Sequence, residues 1–249
     1  MRRHILYLLG LSLSFFPVLG QNPSALLAKA EGAAVQQSAY SRIQMKAERP
    51  RYTREMELRS WNMGNAYSLV QIVSPERDAG MVYMKADKAL MTYSPRTGKI
   101  MKLPSSMLMQ GWMGTDAQFD NILGAASLSQ DFTHQYLGKK TVNGQECHLI
   151  RCTPKPNTPV AYDHVDAYLS VQNDTWVRLV FLDKKGGVSQ QMDALHFKRF
   201  DGVLMPDQIR FTAKDGNQTT TLTILEWRKR PDLKASWFSE ATMKNIDTL

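Results

Sequence analysis

Cysteine, long apolar runs and catalytic signatures are what this chain has least of. Two cysteines occur in 249 residues, Cys147 and Cys152, both within "GQECHLIRC". On an extended strand their five-residue separation spans roughly 16 Å, far beyond the Cα distance that a disulfide bridges. A bond would need a bend in the strand; two small half-buried thiols are the simpler reading, and a disulfide across a bulge is the alternative. Zinc requires more ligands at shorter spacing than His148 adds, so no metal site is read. After residue 20 no stretch supplies the roughly 20 apolar residues of a membrane helix. No HExxH, no GxSxG elbow and no phosphate-binding glycine loop is present. "SPRTGK" (94–99) contains Gly-Lys but lacks the earlier glycine and the following Ser or Thr, and it reads as a hairpin turn. No internal repeat or low-complexity tract interrupts the chain.

The N-terminus is an address. Arg2 and Arg3 precede an apolar run from Ile5 to Val18, and Val18-Leu19-Gly20 leads to Gln21, the order of a secretory signal peptide cut after Gly20. No cysteine stands near that point, so a lipid-modified N-terminus is not expected. Residues 21–249 are 229 in number, which suits one large β domain. The formal charge of +8 falls to +6 once Arg2 and Arg3 leave with no acid. The surplus is scattered over Lys139-Lys140, Lys184-Lys185 and Arg228-Lys229-Arg230, without interleaved aromatics. That pattern argues against a nucleic-acid groove and leaves a mildly basic face suited to anionic lipid or an acidic partner.

From Pro23 to about Ser38 the Ala, Leu and Gln content suits an amphipathic helix. Beyond it, short β-branched and aromatic runs are separated by turn signals: "RDAG" (77–80), "SPRTG" (94–98), Asn143-Gly144, "DKKGG" (183–187), Asp201-Gly202 and "DGN" (215–217). Such spacing argues for antiparallel hairpins. In "TWVRLVFLD" Val177, Leu179 and Phe181 share one face, with Trp176, Val180 and Leu182 on the other. "QQMDALHFKRF" and "TTTLTILEW" alternate similarly. A twisted antiparallel sheet of about nine to eleven strands is expected, and sheets of that size tend to curl or close. One helical interruption is expected in "GTDAQFDNILG". There Thr115 and Gln118 have capping-box spacing, Gly124 ends the helix, and Phe119, Ile122 and Leu123 form the apolar stripe.

Candidate chemistry is thin. Asp163, His164 and Asp166 in "YDHVDAY" are the best polar cluster, but on a strand His164 and Asp166 share a face from which Asp163 points away. A solvated strand face outweighs a metal or acid/base site. Cys147 and His148 are neighbours and face opposite ways on a strand, so they form no nucleophile pair. The distinctive feature is methionine. Of 14, seven fall between Met81 and Met113, and this unbranched, polarizable side chain repacks against acyl chains as readily as it fills an irregular core.

The segments "SPERDAG" (74–80), "LMTYSP" (90–95), "GWMGTDAQFDNIL" (111–123), "YLGKKTVNGQECHLI" (136–150) and "WFSEATM" (237–243), after a signal peptide and a short helix, resemble the outer-membrane lipoprotein-sorting protein family, the LolA-like superfamily. The match covers about four-fifths of the chain. The resemblance implies an incomplete, strongly curved antiparallel β-barrel with a few short helices plugging its concave side, and an apolar cavity for acyl chains in a periplasmic protein. Ala117 departs from the pattern, since members more often carry an aromatic there. The expected function is a carrier or chaperone, non-enzymatic and without cofactor or metal, that binds lipid or lipoprotein acyl chains for transfer across the envelope. An adaptor of the same fold that binds a protein partner is the alternative, and a lipid hydrolase the lesser one. An inner-membrane transporter or outer-membrane acceptor would be its partners, and a monomer is expected. At about 0.8 kcal/mol per methylene, some sixteen buried methylenes would offset loss of the membrane by on the order of 10 kcal/mol. Met84, Met91, Tyr93, Met107, Met109, Trp112, Met113 and Phe119 are the expected ligand-binding residues, with Gly111 and Gly114 as hinges.

Overall fold

A computed structural model describes residues 22–32, 37–87, 89–124, 126–156, 158, 160, 162–214 and 216–248. The signal peptide expected over 1–20 lies outside them. Helix α1 (Pro23–Gly32) is followed by six strands: β1 (Ala39–Arg49), β2 (Tyr52–Met63), β3 (Tyr67–Ser74), β4 (Val82–Ala86), β5 (Ala89–Ser94) and β6 (Lys99–Leu103). A connection then carries two 3₁₀ turns, Ser105–Met109 and Trp112–Gly114, and helix α2 (Phe119–Leu123). Seven strands complete the sheet: β7 (Phe132–Val142), β8 (Gln145–Pro154), β9 (His164–Ser170), β10 (Trp176–Leu182), β11 (Val188–Phe200), β12 (Val203–Ala213) and β13 (Thr219–Lys229). Helix α3 (Glu240–Asn245) follows.

The thirteen strands form one sheet in the order β6-β5-β4-β3-β2-β1-β13-β12-β11-β10-β9-β8-β7. All neighbouring pairs are antiparallel. Two meanders meet at the centre, where β1 pairs with β13. The free edges are β6 and β7, so the barrel is incomplete. Turn chemistry sets the hairpins. Asn143 and Gly144 have φ of 52° and 77°, and Asp201 and Gly202 of 44° and 80°, the paired positive φ values of tight turns that match strand twist.

Each face has its own core. The inner face gathers Met45, Leu58, Ile72, Tyr83, Ile150, Leu169, Phe181 and Phe211 beneath α1, the two 3₁₀ turns and α2. The outer face of β1–β5 carries Tyr40, Trp61, Leu69, Val82, Met84 and Met91 against Leu233, Phe238, Met243 and Ile246 of the C-terminal segment. Strands β3 to β5 therefore bury both faces: Val70 and Tyr83 face inward, while Leu69, Val82 and Met84 face outward. This is why their sequences run apolar without alternation.

The structure corrects several expectations. Thirteen strands stand where about nine to eleven were expected. The first helix is described over Pro23–Gly32 and does not reach Ser38, since residues 37 and 38 are not helical and β1 is already extended at Ala39. Helix α2 starts at Phe119 because Thr115 is engaged elsewhere: its hydroxyl donates to the carbonyls of Trp112 (2.7 Å) and Ala117 (3.2 Å). Gln118 becomes the N-cap, its N–H bonded to Asn121 Oδ1 at 2.9 Å, while Gly124 closes the helix at φ 60°. Along β10 a bulge between Trp176 and Arg178 changes which side chains face inward. Trp176 joins Leu179 and Phe181 on the inner core, and Val177 packs outward with Val142 and Cys147. Cys147 and Cys152 are free and fully buried on β8.

Candidate functional site

The inner face is not completely filled. Between α1, the segment around α2 and strands β9 to β11 lies a cavity of about 270 Å³. Leu27 and Ala30 of α1, with Leu169, Trp176, Leu179 and Met192 of the sheet, supply its apolar wall. The volume stands near the lower bound of ordinary small-molecule sites, roughly 300 Å³.

What roofs this space is fastened by polar contacts. Leu27 is 1% exposed, and burying such a side chain contributes about 1.5–3 kcal/mol. Glu31, at the end of α1, accepts from the hydroxyls of Ser127 (2.8 Å) and Ser129 (2.5 Å) and from the N–H groups of Leu128 (2.5 Å) and Ser129 (3.2 Å). His134 of β7 ties the other end. Its Nε2–H donates to the Leu128 carbonyl at 2.7 Å, which leaves Nδ1 to accept from the Ser24 hydroxyl at 2.7 Å. Lys29 reaches Asp174 at 2.6 Å.

The loop from Gly111 to Asp116 is bound as firmly. Arg49 pairs with Asp116 at 2.9 Å and donates to the Gly114 carbonyl at 2.9 Å. Both side chains of that pair are nearly inaccessible, at 8% and 5% exposure. Asp116 also accepts from the Thr220 hydroxyl at 2.8 Å. Arg54 donates to the Met113 carbonyl and pairs with Asp78 at 2.8 Å. A Cβ on Gly111 would stand 2.9 Å from the Thr115 carbonyl, and Gly114 has φ +75°. These glycines permit close backbone approach; the segment expected to hinge at them is pinned on both sides.

The eight expected ligand-binding residues divide between the two faces. Trp112 (0% exposed) and Phe119 (5%) are buried in the inner core, where the Tyr83 ring meets them edge-on at 5.7 and 5.5 Å. Met107 and Met113 pack against that core, and Tyr83 Oη lies 3.1 Å from Met113 Sδ. Met84 and Met91 belong to the outer core, with Tyr93 packed against it. Met109 is half-buried at the end of its 3₁₀ turn. None of the eight is among the residues lining the cavity. The lining residues carry little signal in the sequence: α1 is an ordinary Ala/Leu helix, and Leu179 with Phe181 reads as any half-buried strand.

The polar candidates have structural partners. Asp166 receives a two-pronged contact from Arg151 at 2.8 and 2.9 Å, and His164 Nδ1 sits 2.9 Å from Asp163. Among the described residues no group of three His, Cys, Asp or Glu is placed to hold a metal. Burial, followed by the charge of Glu31, pushes the Cys152 thiol up to about 12. Burial, followed by Asp120, raises the Tyr162 phenol well above its ordinary value. Burial lowers the Lys85 ammonium. Lys85 donates to the carbonyls of Asn65 and Gly124. Among the described residues no helix is long and apolar enough to cross a membrane.

A family model described as "Uncharacterized protein" matches residues 64–245. This chain belongs to that family, and its fold is that of the LolA-like outer-membrane lipoprotein-sorting superfamily. Among solved structures, a DUF1329 family protein from Desulfovibrio piger is 17% identical, with a TM-score of 0.79 over 89% of this chain and 97% of the other. A putative outer membrane lipoprotein-sorting protein domain from Vibrio parahaemolyticus is 14% identical, TM-score 0.77, over 89% and 98%. The LolA superfamily protein NE2245 from Nitrosomonas europaea is 18% identical, TM-score 0.76, over 89% and 99%. No curated protein matches the chain in sequence. At these identities the likeness is one of fold.

Proposed function

We propose that this LolA-like protein is a non-enzymatic periplasmic carrier that shelters an acyl chain of a lipid or lipoprotein during transfer between envelope membranes. The supporting observation is the apolar cavity of about 270 Å³ beneath α1, on the inner face of an unclosed sheet. An inner face with vacant apolar volume favours hydrocarbon, at about 0.8 kcal/mol per methylene removed from water. The present volume takes part of a long chain; a full one requires α1 or the segment after α2 to move outward. Trp112, Met113, Met107 and Phe119 adjoin the same core, and we assign them the wall that a longer chain would reach on such opening. Met84, Met91 and Tyr93 lie on the other face and have no part in this assignment. Export through a signal peptide over 1–20, and one domain over 21–249, belong to the same proposal.

The test is direct. Protein purified from its native envelope should release lipid into organic solvent, detectable by mass spectrometry at near one acyl ligand per chain, and delipidated protein should take up a fluorescent acyl probe. Absence of both would overturn the carrier reading. A protein partner captured stoichiometrically without lipid would favour the adaptor instead.

A further inference from the structure

The wall of the cavity is apolar, but its charged groups are unevenly distributed. Glu31 and Asp120 line it, and among the described lining residues there is no lysine or arginine. The four hydrogen bonds to Glu31 described above come from hydroxyls and backbone N–H groups, so they hold a carboxylate in place without cancelling its charge. Asp131 stands just behind, accepting from the Ser127 N–H at 2.8 Å. Cations nearby are Lys85, which reaches the Gly124 carbonyl at the end of α2, and Lys155, which donates to the Gln130 carbonyl. Two carboxylates thus stand on the wall itself, and no lysine or arginine is among the described lining residues. The field of these acids reaches the wall itself. Asp120 and Asp131 both hinder ionisation of the Tyr162 phenol, and Glu31 hinders that of the Cys152 thiol.

We infer that the cavity selects amphiphiles by head group, accepting hydrocarbon whose polar end is neutral or cationic and rejecting free fatty acids and other anionic heads. The inference rests on the acyl-carrier reading above. A chain threaded between Leu27 and Leu179 would leave its polar end beside Glu31 and Asp120. There a carboxylate or phosphate meets like charge in a partly desolvated place where Coulomb terms are weakly screened. A hydroxyl or amide meets no such penalty, and Tyr162 and Asn121 line the cavity as uncharged polar groups. An ammonium is attracted.

The experiment compares dodecanol, dodecyltrimethylammonium and laurate binding to the delipidated full chain near neutral pH, below their aggregation limits. Trp176 in the cavity wall serves as the fluorescent reporter. Laurate is expected to bind at least about tenfold more weakly than dodecanol, with the gap closing as salt rises from about 20 to about 300 mM. Dodecyltrimethylammonium should equal or exceed dodecanol. Asp120→Asn, nearly isosteric, should strengthen laurate binding more than dodecanol binding and so narrow the gap between them. Laurate binding as tightly as dodecanol, or a gap insensitive to salt and to Asp120→Asn, overturns the head-group inference and leaves the carrier reading standing. Failure of all three ligands to bind overturns the carrier reading, and the inference falls with it.

Discussion

The vacancy under α1 can be tested by filling it. Ala30 is a partly buried cavity-lining residue that packs against the inner core. Ala30→Leu adds three carbons, about 2.4 kcal/mol if all leave water at about 0.8 kcal/mol per methylene. Ordering the new side chain costs about 0.5–1 kcal/mol. A net gain of about 1.5 kcal/mol follows, since leucine is only slightly poorer than alanine as a helix former. For a domain of this size each kcal/mol moves the melting temperature by about 2–4 °C, so calorimetry should record a rise of about 3–6 °C. Carbons occupying the cavity also displace ligand. Losing three methylenes of contact weakens an acyl probe by about 50-fold, at about 1.4 kcal/mol per factor of ten. The sign of the stability change decides the matter. A fall of about 1–3 kcal/mol, as in an overpacked core, would show that no usable vacancy exists and would refute the reasoning, whatever happened to the probe.

Two further outcomes are expected. Asp116→Ala leaves the Arg49 guanidinium buried without its partner at 2.9 Å, which should cost about 3–5 kcal/mol and lower the melting temperature by about 6–20 °C. Arg49→Ala should cost a similar amount and the double variant less than the sum; additive losses in urea titrations would show that the pair does not act as a unit. Both thiols are fully buried, so neither should react with a thiol reagent until the chain unfolds. The Cys152 thiol moves from 9.0 to about 12 in the folded protein. Its contribution is therefore intact below pH 9 and lost as pH rises toward 12, with unfolding free energy falling by up to about 1.4 kcal/mol per pH unit. A flat stability profile over that window would contradict this.

The hairpin punctuation was legible because its causes are local. Asn143-Gly144 and Asp201-Gly202 accept positive φ at little cost and adopt it here, so a tight turn is favoured before any tertiary contact exists. Gly124 ends α2 for the same reason. The family segments and the LolA-like fold were also readable from the chain. The choice of face was not. Methionines from Met84 to Met113 form one cluster in sequence, yet β4 and β5 bury both sides, so Met84 and Met91 point to the C-terminal segment while Met113 meets the inner core. The bulge at Val177 reversed the expected facing of Trp176 and Val177, because an unpaired residue in one strand depends on the register of its neighbour.

The cavity shows the same division. The turn spacing and strand alternation along the sequence point to a large antiparallel sheet, and sheets of that size tend to curl or close. Whether the enclosed space is filled depends on the packing of α1 across β9 to β11 and on where Glu31 finds its donors, some 97 residues away at Leu128. Such contacts are set by the closing geometry of the whole sheet, and a local pattern of residues carries no record of them.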